Sequence, residues 1–191
     1  SELTQGLKVS STSSSFSEYN NEGYLFRGQY DFDNRFFFSA SFRRDASSRF
    51  HPDHRWGNFW SAGVAWIISR EQWFNVPVFN MLKLKASVGS QGNDAIGMYR
   101  YTDLYSVTND GNDGVSIIFG QKGNPNITWE TNTNINVGAE FGLWNDRLSG
   151  SVDFFYRLTS DMLFQVPVTP SLGYSSYFDN IGDMSNAGIE I

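Results

Sequence analysis

The stretch of sequence that decides the fold spans residues 129–157 and reads WETNTNINVGAEFGLWNDRLSGSVDFFYR. From Trp129 to Phe141 the odd positions are apolar or Thr, whereas the even positions are Glu, Asn or Gly. After Asn145-Asp146 the even positions become apolar or Gly, from Leu148 to Tyr156. A period of two places alternate side chains on opposite faces of a β-strand. The pattern therefore predicts two antiparallel strands joined by a tight turn, each with one apolar and one polar face.

The same alternation recurs in the segments 24–32, 35–43, 59–68 and 82–89. The intervening residues 90–128 are rich in Gly, Asn and Asp and poorly periodic, with a possible short hairpin formed by 99–107 and 115–119. A further loop runs over 159–185, and 187–191 begins another strand. The sequence predicts seven or eight strands and no helix, which is an all-β, antiparallel up-and-down meander.

Strand length and loop rhythm favour a membrane-type barrel wall. The alternating runs last 9 to 13 residues, whereas soluble strands are typically ~5–6 residues and transmembrane strands ~9–11. The connections alternate between short or medium (33–34, 69–80, 145–146) and long (44–56, 90–128, 159–185). Outer-membrane barrels have short periplasmic turns and long extracellular loops. Aromatic residues make up 17% of the chain, which suits their interfacial girdles.

The alternative reading is a soluble β-sandwich that binds carbohydrate. In that fold Glu130, Asn132, Asn134, Asn136 and Glu140 would form a solvated face, whereas in a barrel they would line the lumen. Trp129 and Phe141 are twelve residues apart, which corresponds to roughly 30 Å along the axis of a tilted barrel. This distance matches an apolar band with its girdles, so the barrel is the favoured interpretation.

Composition excludes several other classes of protein. The chain has 191 residues, a formal net charge of −6 and no Cys, so a disulfide framework and a thiolate metal site are ruled out. Apolar runs such as 64–68 are far shorter than a transmembrane helix. The acidic balance and the lack of a basic stripe argue against a nucleic-acid partner. The start, Ser1 to Thr4, has no signal-peptide features, from which we expect either a mature chain or a fragment.

The candidate site residues are few, and the sequence does not rank them. Tyrosines of the long connections could stack on sugars or pack within loops: Tyr99, Tyr101, Tyr105 and Tyr174. The run 109–114 concentrates oxygen ligands in Asp110, Asn112 and Asp113, but it lacks the bidentate Glu of an EF-hand. An ordinary loop is favoured there, and no cofactor is expected.

Other local motifs carry weaker signals still. His51 and His54 flank an acidic residue in a loop with arginines nearby, so a solvated loop is favoured over a metal site. The triplet 126–128 is a formal glycosylation site to which we assign no role. No catalytic triad, carboxylate pair or phosphate loop stands out, and the prediction is that the chain is not an enzyme.

Several blocks of sequence also resemble a known family, the SusC/RagA-type TonB-dependent transporters. The five blocks are FFFSASFRRDASSRF at 36–50, LKLKASVG at 82–89, QGN at 91–93, GNPNITWE at 123–130, and the stretch that contains NIGD at 180–183 and NAGIE at 186–190. They occur in the family's order and cover about residues 20–191. Five ordered blocks make the resemblance specific, although each alone would be weak.

The resemblance implies a 22-stranded barrel of the bacterial outer membrane, energised by TonB and closed by an N-terminal plug. Such proteins import glycans, oligosaccharides or peptides and are usually capped by a SusD-like surface lipoprotein. Within residues 1–191 we recognise neither a plug nor a TonB-contacting segment, and the strands are too few for a barrel. We therefore expect 1–191 to be a partial barrel domain whose partners are outer-membrane lipid, the lipoprotein, the transported substrate and, through a part absent here, TonB.

Overall fold

The computed structural model describes residues 16–109 and 115–191, and it consists of strands and turns. The strands, in chain order, are β1 Asn21–Phe32, β2 Phe36–Ser47, β3 Trp56–Ile67, β4 Phe79–Asn93, β5 Leu104–Asn109, β6 Val115–Gln121, β7 Glu130–Leu143, β8 Leu148–Ser160, β9 Leu163–Pro167, β10 Ser176–Asn180 and β11 Met184–Glu190. Two single 3₁₀ turns, Ile68–Arg70 and Pro170–Leu172, lie between strands. Within these ranges no helix has the length and apolarity needed to cross a membrane.

Seven strands form one antiparallel sheet in the order β1-β2-β3-β4-β7-β8-β11. The remaining four form two hairpins, β5–β6 and β9–β10, inserted into the connections before β7 and before β11. The predicted meander is confirmed, but the predicted strand number was too low. The β9–β10 hairpin was missed because its strands have five residues each, too few to show a period. The last strand begins at Met184 rather than at 187, and the first hairpin begins at Leu104 rather than at 99.

The strand register sorts the side chains of the sheet into two chemically distinct faces. One row of direct neighbours across six strands is apolar throughout: Phe38, Val64, Ala86, Val137, Phe154 and Ile189. The adjacent row on the opposite face is mostly polar or small: Gln29, Ser39, Gly63, Ser87, Asn136, Phe155 and Gly188. A slip of one residue in any strand would move its apolar side chains to the polar face. No strand of the described sheet is slipped in this way, so the register agrees with the period of two seen in the sequence of every strand.

The two ends of the sheet differ as the loop rhythm predicts, except that the connection 68–78 at the tight-turn end has eleven residues whereas the connection 48–55 at the other end has eight. At one end the turn between β1 and β2 consists of residues 33–35, in which Asp33 and Asn34 have φ of 54° and 52°. Asn and Asp tolerate this left-handed conformation best among non-glycine residues, and it matches the twist of a hairpin. In the β7–β8 turn, 144–147, the first three residues are also left-handed. The long connections 48–55, 94–129 and 161–183 all leave from the opposite end.

The sheet is a single layer, and both of its faces are open among the described residues. Phe26, Val137 and Phe154 on the apolar face are 74%, 51% and 46% exposed. A sandwich requires a second sheet about 10 Å away to bury such a face, and no described element lies there. The apolar face therefore requires a non-aqueous environment outside the chain, as the wall of a membrane barrel has. The fully buried side chains of Phe50 and Ile127 lie instead in the long connections.

Candidate functional site

The three long connections pack together into a single surface, which we call the loop platform (residues 48–55, 94–109, 115–129 and 161–183). Its core contains the buried side chains of Phe50, Phe59, Ile96, Ile127 and Trp129, with Phe50 and Ile127 fully inaccessible. The ring of Trp129 lies 5.3 Å from that of Phe50 and 5.3 Å from that of Phe59. Because these residues come from separate connections and strands, burying them fixes the connections to one another and to the sheet.

Directed hydrogen bonds reinforce this core. The side chain of Asn180 accepts from the Thr128 backbone N–H at 2.8 Å and donates to the Thr128 carbonyl at 2.9 Å and the Asp161 carbonyl at 2.8 Å. The Trp129 indole N–H donates to the carbonyl of Arg55 at 2.9 Å. These bonds satisfy backbone groups that have no strand partner, so residues 123–130 bind the other two connections at once.

Glu130 joins three strands at the base of the platform. Its carboxylate accepts from the Asn93 amide at 3.0 Å and from the Leu163 backbone N–H at 3.2 Å. A second acidic group, Asp94, accepts from the buried Ser47 hydroxyl at 2.6 Å and lies 3.5 Å from a guanidinium nitrogen of Arg49. Both carboxylates are thus occupied by hydrogen bonds that hold strands and connections together, so neither is placed as a free acid or base.

A strip of aromatic rings lies on the platform. The ring of Phe119 is 5.3 Å from that of Tyr105 and 6.0 Å from that of Tyr174, so the three rings form a continuous series across the β5–β6 hairpin. The strip continues along the same hairpin face as Val107 and Ile117, which are 66% and 69% exposed. Ring faces of this kind stack on the apolar faces of sugars or on peptide side chains.

A polar cleft of about 230 Å³ adjoins the strip. It is lined by Lys122, Gly123, Asn124, Asn126, Tyr174, Tyr177 and Asp179. The Asn124 amide nitrogen donates to Asp179 at 2.8 Å and to the Phe178 carbonyl at 3.0 Å, which fixes one wall of the cleft. Tyr174 belongs to both features, so a ligand stacked on its ring would meet amide, carboxylate and ammonium groups beside it. A few polar groups next to apolar surface are typical of ligand sites.

One ion pair near the cleft shapes the base of the β5–β6 hairpin. Asp103 accepts the Gly123 backbone N–H at 2.8 Å and the Lys122 ammonium at 3.2 Å. The bond from Gly123 and then the positive charge of Lys122 hold the pKa of Asp103 below its ordinary value. The carboxylate therefore stays ionised and keeps the hairpin attached to the chain that follows it.

The tyrosines selected from the sequence have different surroundings. Tyr105 and Tyr174 are brought together through Phe119. Tyr101 packs against the buried core and meets the His51 ring edge-on at 5.9 Å. Tyr99 lies in a turn with φ of 59° and offers its carbonyl to Gln121 at 2.9 Å. Sequence reasoning missed Phe119, Tyr177 and the Asn residues of the cleft, because their grouping depends on contacts between distant loops.

The proposed metal ligands Asp110, Asn112 and Asp113 lie outside the described residues. Within 16–109 and 115–191 no group of three or more His, Asp or Glu side chains is arranged to hold a metal ion. His51 lies instead 3.3 Å from Asp53 in the loop between β2 and β3.

The polar face of the sheet carries a compact network of charges. The Glu140 carboxylate lies 3.1 Å from the ammonium groups of both Lys83 and Lys85, and Lys85 also reaches Asp153 at 2.8 Å. These residues come from three neighbouring strands, β4, β7 and β8. Within this cluster two ammonium groups face two carboxylates, whereas the opposite face of the same strands is mainly apolar.

Comparisons with known proteins agree with this architecture. A sequence model of the family described as TonB dependent receptor-like, beta-barrel, matches residues 3–191. The chain is 35% identical over 176 residues to the TonB-dependent receptor SusC of Bacteroides thetaiotaomicron, covering 87% of the chain and 18% of that protein. It is 36% identical over 163 residues to a TonB-dependent receptor of Formosa agariphila, covering 85% of the chain and 16% of that protein.

A solved structure of a related protein has the same arrangement of strands. The structure of the RagAB peptide importer in its closed-closed state superimposes with a TM-score of 0.86 at 34% identity, covering 99% of this chain and 21% of that one. The chain thus spans about a fifth of the length of the proteins to which it is similar.

Proposed function

Because this chain belongs to the TonB-dependent receptor-like β-barrel family, in its SusC/RagA group, we propose that it is wall and outer-loop structure of an importer. Residues 1–191 are one stretch of a closed barrel of 22 strands, in which the apolar face contacts lipid and the polar face lines the lumen. The barrel lies in the outer membrane of a Gram-negative bacterium. The long connections lie outside the cell and the tight turns in the periplasm, since short turns are periplasmic in such barrels.

The observation that carries the proposal is that the strand register aligns one apolar and one polar face across all seven strands of the sheet. Every strand of the sheet has a lipid-compatible face and a polar face in register with its neighbours, over 7 to 15 residues. A soluble sandwich would need a partner layer for the apolar face. A barrel wall needs only the bilayer, and closing the barrel also pairs the outer edges of β1 and β11.

The cargo that we propose is a glycan, oligosaccharide or peptide, held first at the loop platform. Tyr105 and Tyr174 supply ring faces, and the cleft supplies the polar contacts that orient the cargo. SusC and the RagAB peptide importer are the relatives that suggest this range. A SusD-like surface lipoprotein covers the platform, and the exposed hairpin face of Val107 and Ile117 offers it an apolar contact.

The import itself needs no bond to be made or broken by this chain. The family consists of receptors and transporters, and Glu130 and Asp94 are committed to structural bonds. We therefore assign the wall no catalytic step. Energy reaches the cargo through TonB acting on a plug contributed by another part of the full-length receptor.

Topology is the first test, and the absence of Cys in this chain makes it direct. In a full-length receptor without other cysteines, S171C on the platform should react with a membrane-impermeant maleimide on intact cells. The matched variant N34C, in the tight β1–β2 turn, should react only after the outer membrane is opened. Labelling of both positions, or the reverse pattern, would overturn the proposed orientation.

Cargo binding is the second test. The Y105A/Y174A double variant of the full-length receptor should lose most of its affinity for its cargo, with maltoheptaose and a tryptic peptide digest as probes in titration calorimetry. The matched control is Y30A, since Tyr30 is exposed on the lipid face and should bind as the wild type does. Equal binding by the double variant and the wild type would contradict a role for the aromatic strip.

A further inference from the structure

One arginine, Arg44, lies on the mainly apolar face of the sheet. Arg44 is in β2 between Tyr24 of β1 and Asn58 of β3, two residues from Phe42 on the same face. Its guanidinium carbon is 4.9 Å from the centre of the Trp56 ring, and Trp56 stacks on Tyr24 with a 6.2 Å separation. Arg44 is exposed, so the cation points outward, away from the lumen, and is flanked by two aromatic rings.

The depth of Arg44 can be measured from the aromatic pair at the other end of the sheet. Phe36 and Trp66 stack on the same face with centroids 5.5 Å apart, next to the tight turns. Eight residues of β2 separate Phe36 from Arg44, or about 26 Å of strand and roughly 20 Å along the membrane normal at ~40° tilt. The apolar band of an outer-membrane barrel is ~25 Å tall. Measured from the Phe36–Trp66 pair, Arg44 therefore lies about 5 Å below the outer edge of this band, and its long side chain can reach the level of the lipid headgroups.

The charge of Arg44 is not matched by a carboxylate in the part of the chain that the structure describes. Its neighbour Arg43, on the polar face, has a nitrogen 2.6 Å from a carboxylate oxygen of Asp45, whereas no described carboxylate lies within 4.0 Å of Arg44. Glu22 is on the outward face of β1, where it accepts the Tyr24 hydroxyl. A cation at a bilayer surface attracts an anionic headgroup, and an arginine is well shaped to hold a phosphate with two parallel hydrogen bonds.

We infer that Arg44, with Trp56 and Asn58 beside it, is a binding site for the phosphate of an outer-leaflet lipid. The guanidinium holds the phosphate oxygens, the Asn58 amide can donate a further hydrogen bond, and the rings of Trp56 and Tyr24 lie against the upper part of the acyl chains. This inference rests on the proposed outer-membrane position of the wall. It adds a specific lipid contact, which neither transport nor barrel closure requires.

The test uses the full-length receptor in detergent, titrated with bisphosphorylated lipid A and followed by native mass spectrometry. R44Q should bind lipid A about tenfold more weakly, since one charge-assisted bidentate contact is lost. R44K, which keeps the charge but not the planar fork, should fall between R44Q and the wild type. The matched control is R27Q, because Arg27 lies on the polar face of the neighbouring strand, opposite Ser41, and should bind normally.

Two further arms of the experiment identify the ligand. Lipid A stripped of its phosphates should bind the wild type as weakly as intact lipid A binds R44Q. Inorganic phosphate at millimolar concentration should compete poorly, because it lacks the acyl chains that meet the rings. Equal lipid A binding by R44Q and the wild type, an equal loss in R27Q, or indifference to the phosphates would each refute the site. Failure of the membrane assignment itself would appear separately, as a wrong maleimide pattern in the wild-type background.

Discussion

Substituting arginine on opposite faces of one strand tests the face assignment quantitatively. Phe154 of β8 is 46% exposed and lies between Val137 and Ile189, both apolar. It is six residues from Leu148, at the tight-turn end of the strand, which is about 20 Å of strand and roughly 15 Å along the membrane normal. Phe154 is therefore close to the bilayer midplane, where arginine on the lipid face of a barrel costs ~2–4 kcal/mol.

Ser151, three residues away, provides the matched control. It lies on the polar face directly opposite Glu140, whose carboxylate already contacts two lysines. An arginine there would extend into water and reach an acidic partner, so S151R should change the free energy of unfolding by less than ~1 kcal/mol. L148R adds a test of depth, because Leu148 is on the lipid face but at the interface, where the cost is ~0–1 kcal/mol.

The assay is equilibrium unfolding of the full-length receptor in phospholipid vesicles with guanidinium, followed by tryptophan fluorescence. F154R should be destabilised most, by ~2–4 kcal/mol, whereas L148R and S151R should each cost no more than ~1 kcal/mol. Equal costs for F154R and S151R would show that the faces are wrongly assigned. Equal costs for F154R and L148R would show instead that the apolar face does not cross a bilayer, which would remove the physical basis of the barrel interpretation.

Three further predictions concern the loop platform. N180L removes three hydrogen bonds and should cost ~1–3 kcal/mol for each backbone group of Thr128 that is left unpaired and shielded from water; hydrogen exchange should increase at the Thr128 N–H, while the strands of the sheet keep their protection. W129A should open a cavity costing ~3–5 kcal/mol and make the platform sensitive to added trypsin on intact cells, with the heat-modifiable mobility of the barrel unchanged. Asp103 has a lowered pKa in the folded state, so its stabilisation is present above the unfolded pKa and is lost as pH falls through the folded value. A spin label at Ser106 should gain mobility in that acidic range, and D103N should be mobile at neutral pH without a further acid transition.

The sheet could be predicted because its pattern is local. Alternation within each strand sets the faces, and the polar pairs Asp33-Asn34 and Asn145-Asp146 mark the tight turns, where the left-handed conformation excludes most other residues. Strand length then distinguishes a membrane wall from a soluble sheet. None of these features depends on residues far apart in the chain, and the structure confirms each of them.

The loop platform could not be predicted in the same way. Phe50, Ile96 and Ile127 are separated by more than 30 residues at each step, and no period connects them. The strands of the β9–β10 hairpin are too short to show alternation. The first of them, β9, ends at Pro167, and a proline argues against a strand when only the sequence is known. Tyr105 and Tyr174 were selected as tyrosines of loops, but the ring that joins them, Phe119, appeared only as part of a possible strand.

The platform also determines how the wall holds its own register. Between β1 and β2 the three-residue turn fixes the register, whereas β4 and β7 pair across an intervening segment of residues 94–129. A flexible segment of that length costs closure entropy and allows many registers. The Glu130 carboxylate removes that freedom, since it bonds to Asn93 directly across the pair and to Leu163 beyond β8. The contacts that shape the outer surface, where we propose that the cargo binds, therefore also align the strands.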